Sequence, residues 1–399
     1  MKRKTGWIIG AAVLAAVLVL GILLARRPTS SGGPEIRVGA VLPLTGPVSF
    51  LGESEQRGMQ LAVAEINANG GILGRRLEIV FEDSRGQPAD GAAAAQKLIS
   101  TSGASFLITS MTGVSLAVKP IVAERAGVLQ FVFAMDESIP ANADNVFRIY
   151  PGIHEEGDML LAHASTLKPK KVAIIFQENP AFQRLAQEVL TPGLRQMGAT
   201  SVAAESFTGD DFAMIRNVMV RVRSMQPELI ILIGYYNNMP ALLRAVDESG
   251  LRQTSRILGV HDVAMAADRG QLTPALLEGV VVAVPSYTLN QQVSPVTHSF
   301  ITAYRARFGG MPNYDAAFGY TTMKLLADAI TRAGTTDPEQ VQRTLRSFSQ
   351  VETASGKISI GPDGNSRSTW VLARFQNGRL VAALDSAVAN PPAAGSGER

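Results

Sequence analysis

Along most of the chain, short apolar runs alternate with polar stretches whose apolar residues recur three and four apart. The first run holds Val38, Ala40 and Leu42 and ends at Pro43. Such a run, closed by turn residues, suits a strand buried on both faces of a parallel sheet. A Gly/Pro/Ser loop follows from Leu44 to Gly52. Met59, Val63 and Ile66, widened by Leu61 and Ala62, then predict an amphipathic helix that Asn69, Gly70 and Gly71 stop. A strand at Leu77–Phe81 closes a right-handed βαβ unit.

The alternation continues. Pro88–Thr101 is helical, Phe106–Thr109 a strand, Val114–Ala126 a helix and Val128–Phe133 a strand. A second series starts at Lys171, with strands Val172–Phe176, Ser201–Phe207, Leu229–Ile233, Arg256–Gly259 and Val280–Val284. Helices Phe182–Met197, Asp211–Met225 (capped by Asp210 or Asp211) and Pro240–Ser249 separate them. Helices Val296–Phe308, Tyr314–Arg332 and one capped by Asp337 and Pro338 follow, then strands near Ser355–Ile360 and Thr369–Phe375. The pattern is that of an α/β protein of two domains, within reach of 399 residues. Open α/β sheets bind ligands beyond the carboxyl ends of their strands, so the candidate chemistry lies in the loops there.

The N-terminus departs from this pattern. Lys2, Arg3 and Lys4 precede 21 uncharged residues, Thr5 to Ala25. This reads as a secretory leader or as a retained signal anchor with residues 34–399 outside, and export follows either way. The formal net charge of +3 belongs to this segment: residues 1–33 hold five basic residues and no acid, which leaves 32 basic against 34 acidic elsewhere. A nucleic-acid surface has no support. The chain has no cysteine, which excludes disulfides, thiolate metal sites, a cysteine nucleophile and a lipid-modified N-terminal cysteine. The last residues, 389–399, read as a disordered tail.

Catalytic patterns are absent. His154, His163, His261 and His298 fall in separate elements, without metal-ligand spacing, and no nucleophile elbow occurs. The glycines of Gly70–Gly74 follow a helix and precede a strand, the reverse of a dinucleotide loop, and read as a helix stop and tight turn. Asp136 and Glu137 are adjacent and point apart unless a turn folds them. No cofactor is expected.

Several ordered stretches carry a resemblance: PLTGP at Pro43–Pro47, Gly58, AEINANGGILG at Ala64–Gly74, EDS at Glu82–Ser84, Asn145–Ile149, the Phe300–Gly309 helix, and Ser355–Gly364. Together they resemble the periplasmic solute-binding proteins of the branched-chain amino acid type over residues 36–386. The resemblance implies two similar lobes, each a mainly parallel sheet with helices on both faces, joined by three crossover strands: the type I periplasmic-binding fold. It places 34–148 and 285–367 in the first lobe, and 149–284 and 368–388 in the second. It implies a binding protein, not an enzyme. An amino-acid-like solute (apolar or branched-chain amino acid, amide or related carboxylate) would be captured by hinge closure and delivered to ABC permease subunits. A membrane-tethered sensor or partner-binding module of the same fold is the alternative.

By the same resemblance, five loops and one wall residue form the site. The hydroxyl–glycine pair Thr112–Gly113, with Ser110, matches the segment that holds a ligand carboxylate, although Thr112 could equally be a plain helix cap. Met135 and Asp136 bring bulk and charge where the family has small and hydroxyl residues, and otherwise read as a solvated loop. The aromatic of the next contact falls on Ala181 or Phe182. Tyr235 matches a tyrosine at a strand end, with Tyr236 at the core or rim. His261 stands where the family has an acid that pairs with an ammonium, and Asp262 comes one residue later; either could face the cleft. Leu51 would supply an apolar wall from the first loop.

Overall fold

The computed structural model describes residues 33–383 except 126, 210, 211 and 290–293. The leader or anchor, the caps at Asp210 and Asp211 and the tail lie outside the described residues. No helix among the described residues is long and apolar enough to cross a membrane.

Two α/β layers build the molecule. The first sheet has the order β2-β1-β3-β4-β5, from β1 (Ile36–Leu42), β2 (Leu77–Asp83), β3 (Phe106–Ser110), β4 (Leu129–Phe133) and β5 (Val146–Arg148). All its pairs are parallel. The second has β7 (Ser201–Phe207), β6 (Lys171–Gln177), β8 (Leu229–Ile233), β9 (Arg256–Gly259) and β10 (Val281–Pro285) in parallel, in the order β7-β6-β8-β9-β10. Antiparallel β14 (Trp370–Gln376) and β15 (Arg379–Ala382) complete it beyond β10. Every residue of β3, β4, β8 and β10 is buried, as expected for parallel strands covered on both faces. A small antiparallel sheet, β11 (Val351–Thr353), β12 (Gly356–Ile360) and β13 (Ser366–Ser368), stands apart.

The strand orders fix where a ligand can bind. In the first sheet the chain runs from β1 outward to β2, then jumps back past β1 to β3. In the second it does the same around β6, β7 and β8. Each jump leaves a crevice at the carboxyl ends, between β1 and β3 and between β6 and β8. The loops predicted to carry the site leave those ends.

Several helical features differ from expectation, three of them outside the site loops. Helix α1 (Ser49–Ala68) starts inside the stretch read as loop, so Leu51 sits in its first turn. Gly52 permits this start, because a Cβ there would strike the Pro43 carbonyl at the end of the strand segment. The second difference lies at 180–196. Helices α5 (Pro180–Arg184) and α6 (Thr191–Gln196) flank a π segment at Leu185–Leu190. Pro192 lacks the N–H that an unbroken α-helix needs, and the Ala186 carbonyl accepts from both the Thr191 N–H and the Thr191 hydroxyl, the latter at 2.7 Å. The third is α4 (Ile153–Leu167), which the pattern did not reveal. Its start rests on the Glu155 carboxylate, which accepts from the Gly152 N–H at 3.0 Å. Helix α4 packs against β10 and β14 in the second lobe.

Helices α2 (Pro88–Ser100) and α3 (Thr112–Ala123) pack together on the first sheet, while α1 packs against the long α12 (Tyr314–Ala333). The α1–α12 crossing is close because of two facing glycines. A Cβ on Gly58 would run into the Ala316 carbonyl, and one on Gly319 into the Glu55 carbonyl. This contact holds Glu55 beside the start of α12. Gly58→Ala or Gly319→Ala is therefore expected to cost about 1–3 kcal/mol through overpacking. Urea denaturation measures it; two variants as stable as the parent would show that the helices can part without cost.

Candidate functional site: a cleft between two sheet edges

A cavity of about 270 Å³ lies between the carboxyl edges of the two main sheets. The first lobe contributes Phe50, Leu51 and Glu55 from α1, Ser110–Gly113 from the β3–α3 junction, and Phe133–Met135 from the end of β4. Tyr150 and Tyr314 form part of its floor. The second lobe contributes Asn179–Phe182 beyond β6, Tyr235 beyond β8, and His261, Asp262 and Met265 beyond β9. The walls are mostly apolar with a few polar groups, the usual make-up of a small-molecule site.

The β3–α3 junction is shaped by Met111, whose φ of +76° is uncommon for a residue with a side chain. Its N–H donates to the Phe133 carbonyl at 2.9 Å. Thr112 is the first helical residue and not the cap, and no side chain caps the helix. The first-turn amides of Thr112 and Gly113, with the positive end of the helix dipole, thus stand at the cavity wall. The Ser110 hydroxyl donates to Glu55 Oε1 at 2.8 Å.

Nine of the ten expected site residues line this cavity: Leu51, Ser110, Thr112, Gly113, Met135, Phe182, Tyr235, His261 and Asp262. Asp136 does not. Its carboxylate is fully buried and accepts from the Ser138 N–H (3.0 Å), the Ser138 hydroxyl (2.7 Å) and both terminal nitrogens of Arg184, one at 2.8 Å. Burial opposes its charge, but Ser138 and Arg184 outweigh burial and hold the carboxyl below its usual range. The charge at this loop thus faces Arg184 on α5 of the second lobe and joins the lobes. It is also not the solvated loop acid that its neighbours suggested.

Phe182 and Tyr235 pack at 5.0 Å between ring centroids, and Phe182 is buried. Burial, with Asp262 nearby, pushes the Tyr235 hydroxyl up to about 12, so it stays neutral. Across the cleft, Phe50 meets Tyr236 edge-on at 4.3 Å, and the Arg269 guanidinium lies over both rings.

The polar floor centres on His261. Its Nδ1 lies 2.9 Å from Glu156 Oε1, its N–H donates to the same oxygen at 2.7 Å, and its Nε2 lies 2.9 Å from the Tyr314 hydroxyl. Asp262 Oδ2 is 3.4 Å from Nε2, and Asp262 Oδ1 accepts the Tyr236 N–H at 2.9 Å. Asp262 begins helix α9 (Asp262–Asp268), where a loop was expected. Tyr150 Oη lies 2.8 Å from Tyr314 Oη and donates to Asp315 Oδ1 at 2.9 Å. His261 and Asp262 thus share one buried network at the cavity edge.

The sequence pattern does not mark Glu55, Tyr150, Glu156, Asn179, Tyr314 or Asp315, which line the cavity or join its network. Glu156 carried one signal: an acid on what would be the buried face of a helix at Ile153, Leu160 and Ala164. The others lacked any local signal.

Burial opposes a charge on His261, but Glu156 and Asp262 outweigh burial and raise it to about 9. Burial lifts Asp262 to about 6 and Asp315 to about 7, partly offset by His261 on Asp262 and by the Tyr150 hydroxyl on Asp315. In each case the folded chain holds protons that the unfolded chain has released, so stability falls as pH rises. The carboxyl part is lost between about pH 4 and 7; the histidine part is full below about 6.5 and lost through about 9. Urea denaturation between pH 5 and 9.5 is expected to show this fall, and His261→Gln to flatten it above pH 7. An unchanged slope in His261→Gln would refute the assignment.

Comparison with known proteins agrees with this architecture. A model of the periplasmic binding protein family matches residues 35–379. Leu/Ile/Val-binding protein homolog 7 of Brucella suis is 23% identical over 94% of this chain and 97% of its own length. The isoleucine complex of the branched-chain amino acid transporter substrate-binding protein LivJ from Streptococcus pneumoniae superposes with a TM-score of 0.73. It is 23% identical over 87% of this chain and 98% of that one. A solute-binding protein of an ABC transporter from Rhodopseudomonas palustris, in complex with 3,4-dihydroxybenzoic acid, superposes at 0.74. It is 20% identical, over 88% and 98%. The fold is thus type I, and the chain belongs to the periplasmic binding protein family, whose members bind solutes for transport and are not enzymes.

Proposed function

We propose that this chain captures a small solute, an amino acid or a related carboxylate or amide, between its lobes outside the cytoplasm, and delivers it to an ABC-type permease. The observation that carries this reading is the apolar cavity set at the switch points of both sheets, with polar groups converging from each side. The first-turn amides of Thr112 and Gly113 suit an anionic head. Leu51, Met135 and Phe182 suit an apolar body, and Tyr235 closes over it. The named ligands of the two superposed proteins, isoleucine and 3,4-dihydroxybenzoic acid, support the solute class.

The lobes are joined after β5, between β10 and helix Pro295–Phe308, and between β13 and β14. Three such connections act as the hinge. Contacts made only when the lobes meet shift the population toward the closed form. Residues 1–33 act as the export signal or as an anchor.

A thermal-shift screen of the exported domain against amino acids, amides and aromatic carboxylates tests the solute class. A ligand-dependent rise with at least one member is expected; none, in a folded sample, would refute the class. Closure is tested at Arg184. Arg184→Ala leaves the Asp136 carboxylate without its cation across the cleft, a loss of about 3 kcal/mol. The variant is expected to be more open, with a larger radius of gyration in small-angle scattering and weaker ligand binding. An unchanged radius and affinity would show that the pair plays no part in closure.

A further inference from the structure

Among the described residues that line the cavity, two carry a buried polar atom without a partner: Glu55 Oε2 and Asn179 Nδ2. They come from opposite lobes. Native chains rarely leave such atoms orphaned, so each points to a group that something else must meet.

The chemistry of both atoms can be assigned. Asn179 Oδ1 accepts the Phe182 N–H at 3.0 Å as the cap of α5, which fixes the side-chain flip and leaves Nδ2 as a donor. Glu55 is 2% exposed. Its Oε1 accepts the Ser110 hydroxyl, and no basic side chain bonds to it. The groups that bear on it are Asp315 from α12, the Tyr150 hydroxyl beyond β5, and Ser110 at the end of β3. Burial and the Asp315 carboxylate push the Glu55 carboxyl well above its usual range, against the Ser110 bond. Two carboxyls on one buried floor do not both ionise. A neutral Glu55 that accepts at Oε1 carries its hydrogen on Oε2, as a donor.

The first-turn amides of Thr112 and Gly113 line the same cavity. The acids that could hold an ammonium are already engaged. Glu156 Oε1 takes two contacts from His261, and Asp262 faces His261 and the Tyr236 N–H. Donors thus gather in the cavity, Asp262 and Glu156 Oε1 already face His261, and Glu156, whose Oε2 is buried without a partner, does not line the cavity. Phe50, Leu51, Phe133 and Met265 supply apolar walls.

We propose that the cleft selects an apolar monocarboxylate and does not require an ammonium group, with Glu55 and Asn179 as the specificity-determining residues that donate to its oxygens. This rests on the solute-binding reading above and narrows it. An amino acid binds by its carboxylate, and its amine adds little.

Isothermal titration calorimetry tests this with three probes: L-leucine, 4-methylpentanoate (the same skeleton without the amine) and benzoate. At least one of the two plain acids is expected to bind as tightly as leucine or tighter. Glu55→Leu is expected to weaken that acid about ten- to a hundredfold, and Glu55→Gln, which keeps a donor, to recover most of the loss. Affinity of the parent is expected to fall at high pH, and that of Glu55→Gln to fall less steeply, since only the His261, Asp262 and Asp315 titrations remain in it. Asn179→Ala, on the other lobe, is expected to weaken the same probe about tenfold, and serves if Glu55→Leu does not fold. Leucine binding tenfold tighter than both acids would overturn the narrowing and leave the solute-binding reading intact. So would Glu55→Gln as damaged as Glu55→Leu, or Asn179→Ala unchanged. A parent that binds none of the three, nor any member of the thermal-shift panel, overturns both.

Discussion

The cleft depends on a charge that should not be buried. His261 sits between the Glu156 and Asp262 carboxylates, with its ring edge on the Tyr314 hydroxyl. An isolated imidazolium at this depth would cost several kcal/mol of hydration, and so would each carboxylate. Together they offset one another through Glu156 Oε1 and Asp262, although Glu156 Oε2 is left without a partner. The arrangement also spans the lobes, since Glu156, His261 and Asp262 belong to the second and Tyr314 and Asp315 are carried by α12, packed on the first. Through Tyr314 and Tyr150 the same chain of contacts reaches Asp315, and Asp315 bears on Glu55. Burial raises Glu55, Asp262 and Asp315, and a neighbouring group then adjusts each.

Backbone packing sets this network up. The glycine crossing of α1 and α12 holds Glu55 and Asp315 on one floor, and a larger residue at either glycine would separate them. Helix α4 supplies Glu156 from the far side, starting where the chain first enters the second lobe. The strands do the rest. Because both sheets reverse their order at the same place, β1, β3, β6 and β8 all end at the cleft, and the residues that follow them need no further arrangement to meet.

Sequence periodicity shows the strands well, because strands buried on both faces leave unbroken apolar runs. It locates most helices to within a few residues. It fails at α1, where Gly52 reads as a loop signal although a close approach to the Pro43 carbonyl requires it. It also fails at α4, whose buried Glu156 interrupts the apolar stripe. Of the site, the loops after strands are legible by position, so Thr112, Tyr235 and His261 could be singled out. Tyr150, Tyr314 and Asp315 could not, since their roles arise between residues more than 100 positions apart, such as Tyr150 and Tyr314. Residue type alone misplaces Asp136: an acid in a cleft loop suggests a ligand contact, and only the position of Arg184 shows that it pairs between lobes.

Four of the acids near this cleft do different things, and the partner decides which; a fifth, Glu156, shares the His261 ring with Asp262. Asp136 meets a guanidinium across the cleft, so its charge is held and it ties the lobes together. Asp262 meets an imidazole and a backbone amide, so its charge is satisfied within the second lobe. Asp315 meets a phenol hydroxyl and sits near its titration point at neutral pH. Glu55 meets only a serine hydroxyl and another acid, so it is the carboxyl for which a proton is cheapest to keep. A cleft rich in carboxyls would by count alone attract a cation. Two of these charges face cations of the chain and burial pushes the Glu55 carboxyl well above its usual range, so the same count is compatible with a floor that receives an anion.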